Sequence, residues 1–378
     1  MTRNERSDAL HAAVQAFASG DPSRSFQDLA QEIAEFQREF SPGFARLVAR
    51  HAAVLSNPEH IPGVPSDTFR LARVAVHPQS EDAVRFATSG TTGSGHGIHA
   101  MRRTDTYRAL ALSFGRSALL SGQSARRVVA LAPRLSDPPT SSLGYMMALF
   151  MADFEQREPE VARAPDRWLI DEQGVNVSEL ERAGQRALTA GEALIVLATS
   201  FALVALLDEL QGRTLRVPEH TVVMQTGGFK GKSREIAPSE LRSSVARAFG
   251  IGEARVVSEY GMTELTSQLY EATVPGSALE TARRSEVRGW AAGAPLYFEP
   301  PWLRVVPVDP VSLSPVAEGE VGIGRIVDLG NVDSAIAIQT QDRVRRVSGG
   351  IELLGRAPGA TPRGCSLAIE EFLAAQAS

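Results

Sequence analysis

The sequence predicts an α/β protein, and three regions of the chain support that prediction in turn. The first 85 residues carry apolar side chains at helical spacing. From residue 85 onward, short apolar runs alternate with amphipathic helical segments, which is typical of a mainly parallel sheet covered by helices. Beyond residue 285, short Val-rich runs are separated by Pro and Gly, which indicates a smaller β region with antiparallel turns.

Two helices are predicted in the N-terminal region. The first follows an N-cap at Ser25, with Asp28 three residues later as in a capping box. Its apolar positions are Phe26, Leu29, Ile33, Phe36 and Phe40. Ser41 followed by Pro42 predicts the start of the second helix. We expect this region to contribute packing and at most one wall of a pocket.

The central region is predicted to hold the buried strands 84–87, 128–132, 194–198, 222–225 and 255–257. Helices are predicted at 105–120 and at 179–188, the second behind a capping box from Ser178 to Glu181. Parallel sheets bind ligands at the carboxyl ends of their strands. Because strand 255–257 runs directly into Ser258-Glu259-Tyr260, we expect this segment to lie at such an edge.

The last third is predicted to form strands at 303–308, 321–327, 335–339 and 344–347. A chain of 378 residues is too long for one small core. The length suggests one large domain with a smaller piece, or two domains. We predict a large domain, 1–343, whose first 84 residues or so are helical. A short C-terminal segment, 344–378, follows and carries Cys365.

Composition excludes several classes of function. A net charge of -5 and a pI near 5.9 give no basic surface for nucleic acid, so a small molecule or a protein is the expected partner. The first ten residues lack the apolar run of a signal peptide, and the most apolar window, 193–207, is shorter than the roughly 20 residues that span a bilayer. We interpret that window as a buried strand, a turn and a helix. A single cysteine excludes intramolecular disulfides and cysteine-rich metal clusters, which fits a cytoplasmic protein.

Two short segments carry most of the chemical information. Segment 88–95, Thr-Ser-Gly-Thr-Thr-Gly-Ser-Gly, can surround phosphate oxygens with main-chain N–H groups, because glycine adopts the positive φ that such a loop requires. By itself this composition fits an ordinary loop equally well. In segment 260–264, Tyr260 offers a flat surface for a base, Thr263 a hydroxyl for a phosphate, and Glu264 an oxygen ligand for Mg²⁺.

Taken in order, these segments resemble the motifs of the adenylate-forming superfamily, which includes acyl-CoA ligases, peptide-synthetase adenylation domains and luciferases. The matching features are the Ser-Gly-Thr-Thr-Gly run, Gly227-Gly228, segment 260–264, Asp342 and Gly355-Arg356. Within the superfamily the chain looks most like the LuxE-like acyl-protein synthetases. That likeness is carried by segment 88–99, which ends in His99, by 227–230 (Gly-Gly-Phe-Lys), and by 363–367 (Arg-Gly-Cys-Ser-Leu). It covers roughly residues 84 to 370.

The resemblance implies that the chain binds ATP and Mg²⁺ and activates a small-molecule carboxylic acid. It implies nucleotide-binding roles for Thr88, Ser89, Gly90, Thr91, Thr92, Gly93, His96, Gly227, Gly228, Phe229, Tyr260, Gly261, Met262, Thr263, Asp342 and Arg356. Glu264 would hold the metal, and the catalytic residues would be Lys230, Thr263, Arg363 and Cys365. For Asp342, a solvated turn acid among neighbouring arginines is an open alternative.

The chain departs from the superfamily pattern in three places. A histidine, His96, stands near the usual lysine of the phosphate loop, so the phosphate charge must be met by His96, His99, Mg²⁺ or lysines elsewhere. The acid that usually follows the Gly-Arg pair is absent from 357–359. The chain ends soon after Cys365, so we expect it to lack the C-terminal domain that supplies the adenylation lysine, with Lys230 or Lys232 as its substitute.

Cys365 has two interpretations. A lone cysteine is commonly a small buried apolar residue. In the LuxE-like family, however, the cysteine of this element accepts the acyl group as a thioester, and Arg363 can lower the pKa of the thiol. The partner that takes the acyl group would be CoA, a carrier protein or an acyl-accepting reductase. If Cys365 is structural, the adenylate would instead pass the acyl group directly to CoA or a carrier protein.

Other interpretations of the motifs stay open. Segment 226–233 nearly matches a P-loop with Lys232 and Ser233, although Pro238 argues against a long helix after it. His96 and His99 alone do not make a metal site. The Met-rich stretch 144–154 fits either an acyl pocket or ordinary core.

Overall fold

The structure of the protein is a computed structural model. It describes residues 1–51, 54–88, 96–122, 125–227, 236–286, 296–347 and 349–357. Its α-helices are α1 Arg3–Ala18, α2 Phe26–Phe40, α3 Pro42–Arg50, α4 Thr68–Leu71, α5 Asp105–Leu119, α6 Ser142–Phe154, α7 Val177–Ala190, α8 Ser200–Leu210, α9 Pro238–Phe249 and α10 Ala278–Glu286. Its strands are β1 Val64–Pro65, β2 Val84–Ala87, β3 Ile98–Met101, β4 Arg126–Pro133, β5 Trp168–Asp171, β6 Gly174–Val175, β7 Ala193–Thr199, β8 Val222–Thr226, β9 Val256–Tyr260, β10 Leu269–Glu271, β11 Tyr297–Phe298, β12 Leu303–Val308, β13 Val321–Asp328, β14 Ala337–Val347 and β15 Gly350–Arg356.

Local sequence signals start the N-terminal helices. Ser25 forms a capping box with Asp28 at the start of α2, and Ser41 caps α3 with Pro42 in its first turn, as predicted. The inner face of α2 is fully buried at Leu29, Ile33 and Phe36. These helices therefore pack by one apolar face, as their spacing indicates.

The chain divides into two compact units. The first comprises Met1–Ser113, Met262–Gln268 and Phe298–Ser378; the second comprises Phe114–Gly261 and Leu269–Tyr297. The predicted domain boundary at residue 343 stays a prediction.

The second unit is built on a mainly parallel sheet in the order β10-β9-β8-β7-β4-β5-β6, with antiparallel pairs only at its two ends. The strands β4, β7 and β8 are nearly continuous apolar runs, as expected for strands buried on both faces. The apolar window 193–207 forms β7 followed by α8, whose N-cap is Thr199, so the predicted strand, turn and helix are confirmed.

The first unit contains the predicted β region. Strands β12, β13, β14 and β15 pair antiparallel in that order, and β1 adds to β14 in parallel. A separate hairpin joins β2 and β3, with Ala87 opposite Ile98 and Phe86 opposite His99. The predicted α/β class, with a helix-covered sheet and a smaller β region, is confirmed.

Four local predictions are corrected. The cap of α7 is Asn176, whose side chain accepts the hydrogen bond from the Glu179 N–H, and not Ser178. β9 begins at Val256, because the preceding residues 253–255 form a 3₁₀ turn. Segments 335–339 and 344–347 contribute to one long strand, β14. Pro238 opens α9 instead of preventing a helix, since proline lacks only an N–H that the first turn does not need.

None of the helices in the described ranges combines the length and the apolar character needed to cross a bilayer.

Candidate functional site

The hairpin of β2 and β3 carries the Gly-rich segment between its two strands. At its base, the Thr88 N–H donates to the Gly97 carbonyl at 2.8 Å, and the Gly97 N–H donates to Thr88 Oγ1 at 2.8 Å. A Cβ on Gly97 would lie 3.1 Å from the Thr88 side chain, so the close approach favours glycine. Thr88 is thus fixed at the base of the hairpin. The predicted phosphate-binding residues that follow it, Ser89, Gly90, Thr91, Thr92 and Gly93, lie outside the described residues.

His96 and His99 have different roles in this hairpin. The exposed His96 donates from Nδ1 to the Thr88 carbonyl at 2.7 Å. His99 is buried, and its Nδ1 lies 2.7 Å from the Thr263 carbonyl. A carbonyl can only accept, so His99 carries its proton on Nδ1, and its Nε2 accepts from Ser334 Oγ at 3.1 Å.

Burial lowers the pKa of His99 to about 4, so its ring is neutral at physiological pH. The suggestion that His99 could meet the phosphate charge is therefore wrong, because a neutral imidazole brings no positive charge. Its Nδ1 hydrogen bond connects β3 to the main chain of Thr263, and we call this bond the tether. Through this tether the hairpin that bears segment 88–95 is bonded to the segment that bears Glu264.

A loop after β13 holds the chain beyond Thr263. Glu264 is 8% exposed, and its carbonyl accepts from Asn331 Nδ2 at 3.0 Å. The N–H groups of Thr266 and Ser267 donate to Asp328 Oδ2 at 2.9 and 2.8 Å. The main chain around Glu264 is therefore held by side chains that come from more than 60 residues further along the sequence.

The sequence reasoning missed this loop, residues 329–334, whose polar members are Asn331, Asp333 and Ser334, and missed Asp328 at the end of β13. Gln37 on α2 donates from Nε2 to the carbonyls of Asn331 and Val332 at 2.7 and 2.9 Å. A signal was present, since Asp, Gly and Asn follow directly on a Val-rich strand. The N-terminal helices therefore support the loop by polar contacts as well as by apolar packing.

Asp333 joins α1 to this loop. It accepts from Ser7 Oγ at 2.5 Å, contacts His11 Nε2 at 3.1 Å, and accepts from Arg102 Nε at 3.3 Å. Burial opposes ionisation of Asp333, but these hydrogen bonds and the charge of Arg102 outweigh it and hold the pKa at about 2. Because Arg102 directly follows β3, the network fixes the far end of the hairpin.

In the second unit, β8 and β9 end side by side, with Thr226 opposite Glu259. Gly227 follows β8 with φ of 73°, a conformation that favours glycine. Tyr260 ends β9, and its ring lies 6.4 Å from that of Tyr297 in an edge-on arrangement. Gly227 and Tyr260 thus lie at the carboxyl ends of neighbouring parallel strands, where sheets of this kind bind ligands.

Glu259 was not singled out from the sequence. It is 4% exposed, and Thr226 Oγ1 donates to its Oε2. Burial raises the pKa of Glu259 to about 7. The hydrogen bond from Thr226 lowers the pKa, but by less than burial raises it. No sequence signal predicts this shift, because it depends on the surroundings of the side chain.

Asp342 and Arg356 face each other on β14 and β15. Arg356 Nε lies 3.6 Å from Asp342 Oδ1, and the nearby Arg345 and Arg346 pair with Glu352 and Glu299 instead. Asp342 therefore lies in a strand and not in a turn. Two residues predicted from separate motifs form one ion pair.

The remaining predicted site residues lie outside the described residues. They are Gly228, Phe229, Lys230, Arg363 and Cys365, together with Lys232 and Ser233 of the alternative P-loop. Within the described ranges, no group of three or more His, Cys, Asp or Glu side chains could hold a metal ion. A single acid such as Glu264 fits Mg²⁺ that is bound mainly through nucleotide phosphates.

Comparison with solved structures identifies the fold. An open conformation of 2-hydroxyisobutyryl-CoA ligase in complex with 2-HIB-AMP and CoA has a TM-score of 0.55 to this chain at 14% identity, covering 88% of this chain and 75% of the ligase. The same ligase in the thioesterification state has a TM-score of 0.55 at 14% identity, covering 94% and 69%. Its postadenylation state with 2-HIB-AMP has a TM-score of 0.55 at 13% identity, covering 94% and 69%.

The chain has the fold of this acyl-CoA ligase. The predicted fold of an adenylate-forming enzyme is thereby confirmed, and at this level of identity the similarity establishes the fold alone. No protein-family model matches the chain, and no curated protein matches it.

Proposed function

We propose that this chain activates a small carboxylic acid as its acyl-adenylate, using ATP and Mg²⁺, and then transfers the acyl group to Cys365. The fold supports this, because structures of 2-hydroxyisobutyryl-CoA ligase with the same fold hold 2-HIB-AMP. The observation that carries the proposal is the 2.7 Å hydrogen bond between His99 and the Thr263 carbonyl. It joins the hairpin that bears segment 88–95 to the segment that bears Thr263 and Glu264.

In the first half-reaction, a carboxylate oxygen attacks the α-phosphorus of ATP. The bond from that phosphorus to the oxygen bridging to the β-phosphate breaks, and pyrophosphate leaves with the electron pair. The protein needs to supply little covalent chemistry for such a step, so positioning and charge neutralisation dominate.

The chain offers groups for each part of the nucleotide. We assign the phosphates to the N–H groups of 88–93 and to the Thr263 hydroxyl, with Mg²⁺ bound through Glu264 to neutralise their charge. The adenine would stack on Tyr260 and lie close to the main chain of Gly227-Gly228. These roles are those implied by the resemblance of the motifs to the adenylate-forming superfamily. They agree with the general rule that parallel sheets bind ligands at the carboxyl ends of their strands.

Asp342 and Arg356 complete the nucleotide assignment. Asp342 would accept hydrogen bonds from the ribose hydroxyls, and Arg356 would add a fixed positive charge beside them. Their contact at 3.6 Å supports a shared role. Lys230 is the proposed substitute for the adenylation lysine.

In the second half-reaction, the Cys365 thiolate attacks the acyl carbonyl carbon. The bond from that carbon to the phosphate oxygen breaks, and AMP leaves. Arg363 would favour the thiolate form. A carrier protein or an acyl-accepting reductase would then take the acyl group, as the likeness to acyl-protein synthetases implies.

A second candidate is direct transfer of the acyl group from the adenylate to CoA. The presence of CoA in two complexes of the ligase with the same fold favours it. In that case Cys365 is structural.

Exchange of labelled pyrophosphate into ATP, measured across aliphatic, aromatic and amino acids, tests the proposal. We expect exchange that requires a carboxylic acid. Cys365→Ala should retain exchange and lose a labile acyl adduct that mass spectrometry detects on the wild type; transfer to CoA without such an adduct supports the second candidate. ATP hydrolysis that needs no acid and is lost in Lys232→Ala contradicts both and indicates a P-loop NTPase.

A further inference from the structure

We propose that Glu259 and Thr226 bind a positively charged amino group of the carboxylic acid substrate. The inference rests on the proposed function and adds to it a class of substrate: acids that carry an ammonium group. It follows from where the two side chains lie in the second unit, from what covers that face of the sheet, and from the partners that Glu259 has.

The two side chains occupy matching positions at the carboxyl ends of neighbouring strands. Thr226 is the last residue of β8, Glu259 is the last but one of β9, and the two are opposite each other in the parallel register. The Thr226 hydroxyl donates to Glu259 Oε2. Both stand next to residues with proposed ligand contacts, since Gly227 follows the first and Tyr260 follows the second.

Strand alternation determines which face of the sheet they share. Val223 and Val256 belong to the apolar core that also contains α7, α8 and α9. Side chains an odd number of positions further along a strand point to the opposite face, so Thr226 and Glu259 lie on the face away from that core.

Helix α6 covers this opposite face. Tyr270 on β10 is paired directly with Glu259, so the two side chains share a face. The Tyr270 hydroxyl lies 3.9 Å from Met146 Sδ on α6, and the Phe114 ring meets the Tyr270 ring edge-on at 5.6 Å. Glu259 is therefore an acidic side chain on a face covered by Met-rich and aromatic groups.

The partners of Glu259 are incomplete. Its Oε2 accepts from Thr226, and its Oε1 accepts no hydrogen bond within the described part of the chain. The neighbouring acid Glu271 is a contrast, because Arg242 and the Ser258 N–H, at 2.8 Å, both donate to it. Arg242 is thus engaged by Glu271.

A buried carboxylate without a cation is costly, because burial disfavours its charged form. An ammonium group beside Oε1 would supply both a hydrogen-bond donor and a positive charge, neither of which the described residues give to that oxygen. Charged hydrogen bonds of this kind are stronger than neutral ones. A plain aliphatic or aromatic acid would leave Oε1 without a donor from the described residues. The site therefore favours the amino acid over its deamino analogue.

Matched pairs of acids test the inference: L-phenylalanine with 3-phenylpropanoate, L-leucine with 4-methylpentanoate, and 6-aminohexanoate with hexanoate. The measurement is kcat/KM for pyrophosphate exchange in the wild type, in Glu259→Gln and in Glu181→Gln. Glu181 provides the control, because it is an exposed acid on α7 of the same unit. KM for ATP is recorded in each case.

We expect the wild type to favour the amino member of at least one pair. In Glu259→Gln the ratio of kcat/KM for that pair falls about tenfold or more, which is the loss expected for a charged hydrogen bond. Glu181→Gln leaves the ratio unchanged, and KM for ATP stays within about twofold in both variants, as expected for changes outside the nucleotide contacts. Thr226→Val, which removes the hydroxyl that orients Glu259, lowers the ratio less.

Four results would overturn the inference. Exchange that favours no amino member, or a preference that survives in Glu259→Gln, contradicts it while leaving the proposed function intact. A rise in KM for ATP with an unchanged acid preference shows that Glu259 contacts the nucleotide instead. Exchange with no acid at all contradicts the proposed function itself, and this inference with it.

Discussion

Two buried carboxylates, one in each unit of the molecule, have opposite surroundings. Asp333 in the first unit is 6% exposed and has Ser7, His11 and Arg102 as partners, whereas Glu259 in the second unit is 4% exposed and has Thr226 alone within the described residues. The pKa of Asp333 is held at about 2, and burial raises that of Glu259 to about 7. A buried acid with several donors stabilises a structure. One with a single donor retains the capacity to bind a ligand.

The largest effect is expected from Asp333→Asn, which breaks a buried network. The substitution removes the negative charge that Arg102 and His11 share and replaces one acceptor oxygen by an NH₂ donor. The free energy of unfolding at pH 7 should therefore fall by about 3 kcal/mol. Urea denaturation measures this. Asp8→Asn is the control, because Asp8 contacts the same Arg102 at 2.5 Å from a half-exposed position and should cost less than about 1 kcal/mol.

The same network predicts a pH dependence. The pKa of Asp333 is lowered from 3.8 to about 2 on folding. Its contribution is therefore fully present above about pH 4 and is lost as the pH falls through 2, which amounts to about 2 kcal/mol. Denaturation at pH 5 and pH 2.5 should show this loss in the wild type and not in Asp333→Asn. Parallel losses in the two proteins would show that Asp333 does not carry the effect.

Glu259→Gln should raise the free energy of unfolding at high pH, whereas Asp333→Asn lowers it. Because the folded-state pKa lies above the unfolded value, the wild type loses stability as the pH rises from about 4.5 to 7. The neutral glutamine removes that loss, so the variant should be more stable than the wild type by about 3 kcal/mol at pH 8.5 and by less than about 1 kcal/mol at pH 5. A destabilised variant at pH 8.5 would mean that Glu259 is as fully paired as Asp333.

Substitution of His99 should lower the activity more than it lowers the free energy of unfolding. His99→Leu removes the donor to the Thr263 carbonyl, and we expect kcat/KM for ATP in pyrophosphate exchange to fall about tenfold, the cost of one well-placed hydrogen bond. His99→Asn carries an N–H near the position of Nδ1 and should restore part of the activity. Equal activity in the two variants would show that the tether does not position Thr263.

The smallest change in stability is expected at the surface pair of β14 and β15. Arg356 is 68% exposed, so Asp342→Asn should change the free energy of unfolding by less than about 0.5 kcal/mol. KM for ATP should nevertheless rise severalfold, because the ribose hydroxyls lose an ionised acceptor. An unchanged KM would remove Asp342 from the nucleotide site.

Local signals explain which parts of the fold could be predicted. The caps at Ser25 and Ser41 act within three residues, and the buried strands are visible as apolar runs, so both are present in the sequence itself. The error at α7 has the same origin, since Ser178 and Asn176 are both good caps and packing decides between them.

The polar network of the first unit could not be predicted in this way. Ser7 and Asp333 are 326 residues apart in the sequence, and no local pattern pairs them. The neutral state of His99 and the raised pKa of Glu259 depend on burial, which appears only once the chain is folded. The roles assigned to 89–93, Lys230 and Cys365 stay predictions.

Transfer of oxygen isotope tests the central claim, acyl-adenylate formation, most directly. A carboxylic acid that supports exchange is labelled with ¹⁸O in both carboxylate oxygens and turned over with ATP and an acyl acceptor. Attack on the α-phosphorus followed by acyl transfer predicts AMP that carries one ¹⁸O, seen by mass spectrometry. Unlabelled AMP, or ADP as the product, would contradict the account.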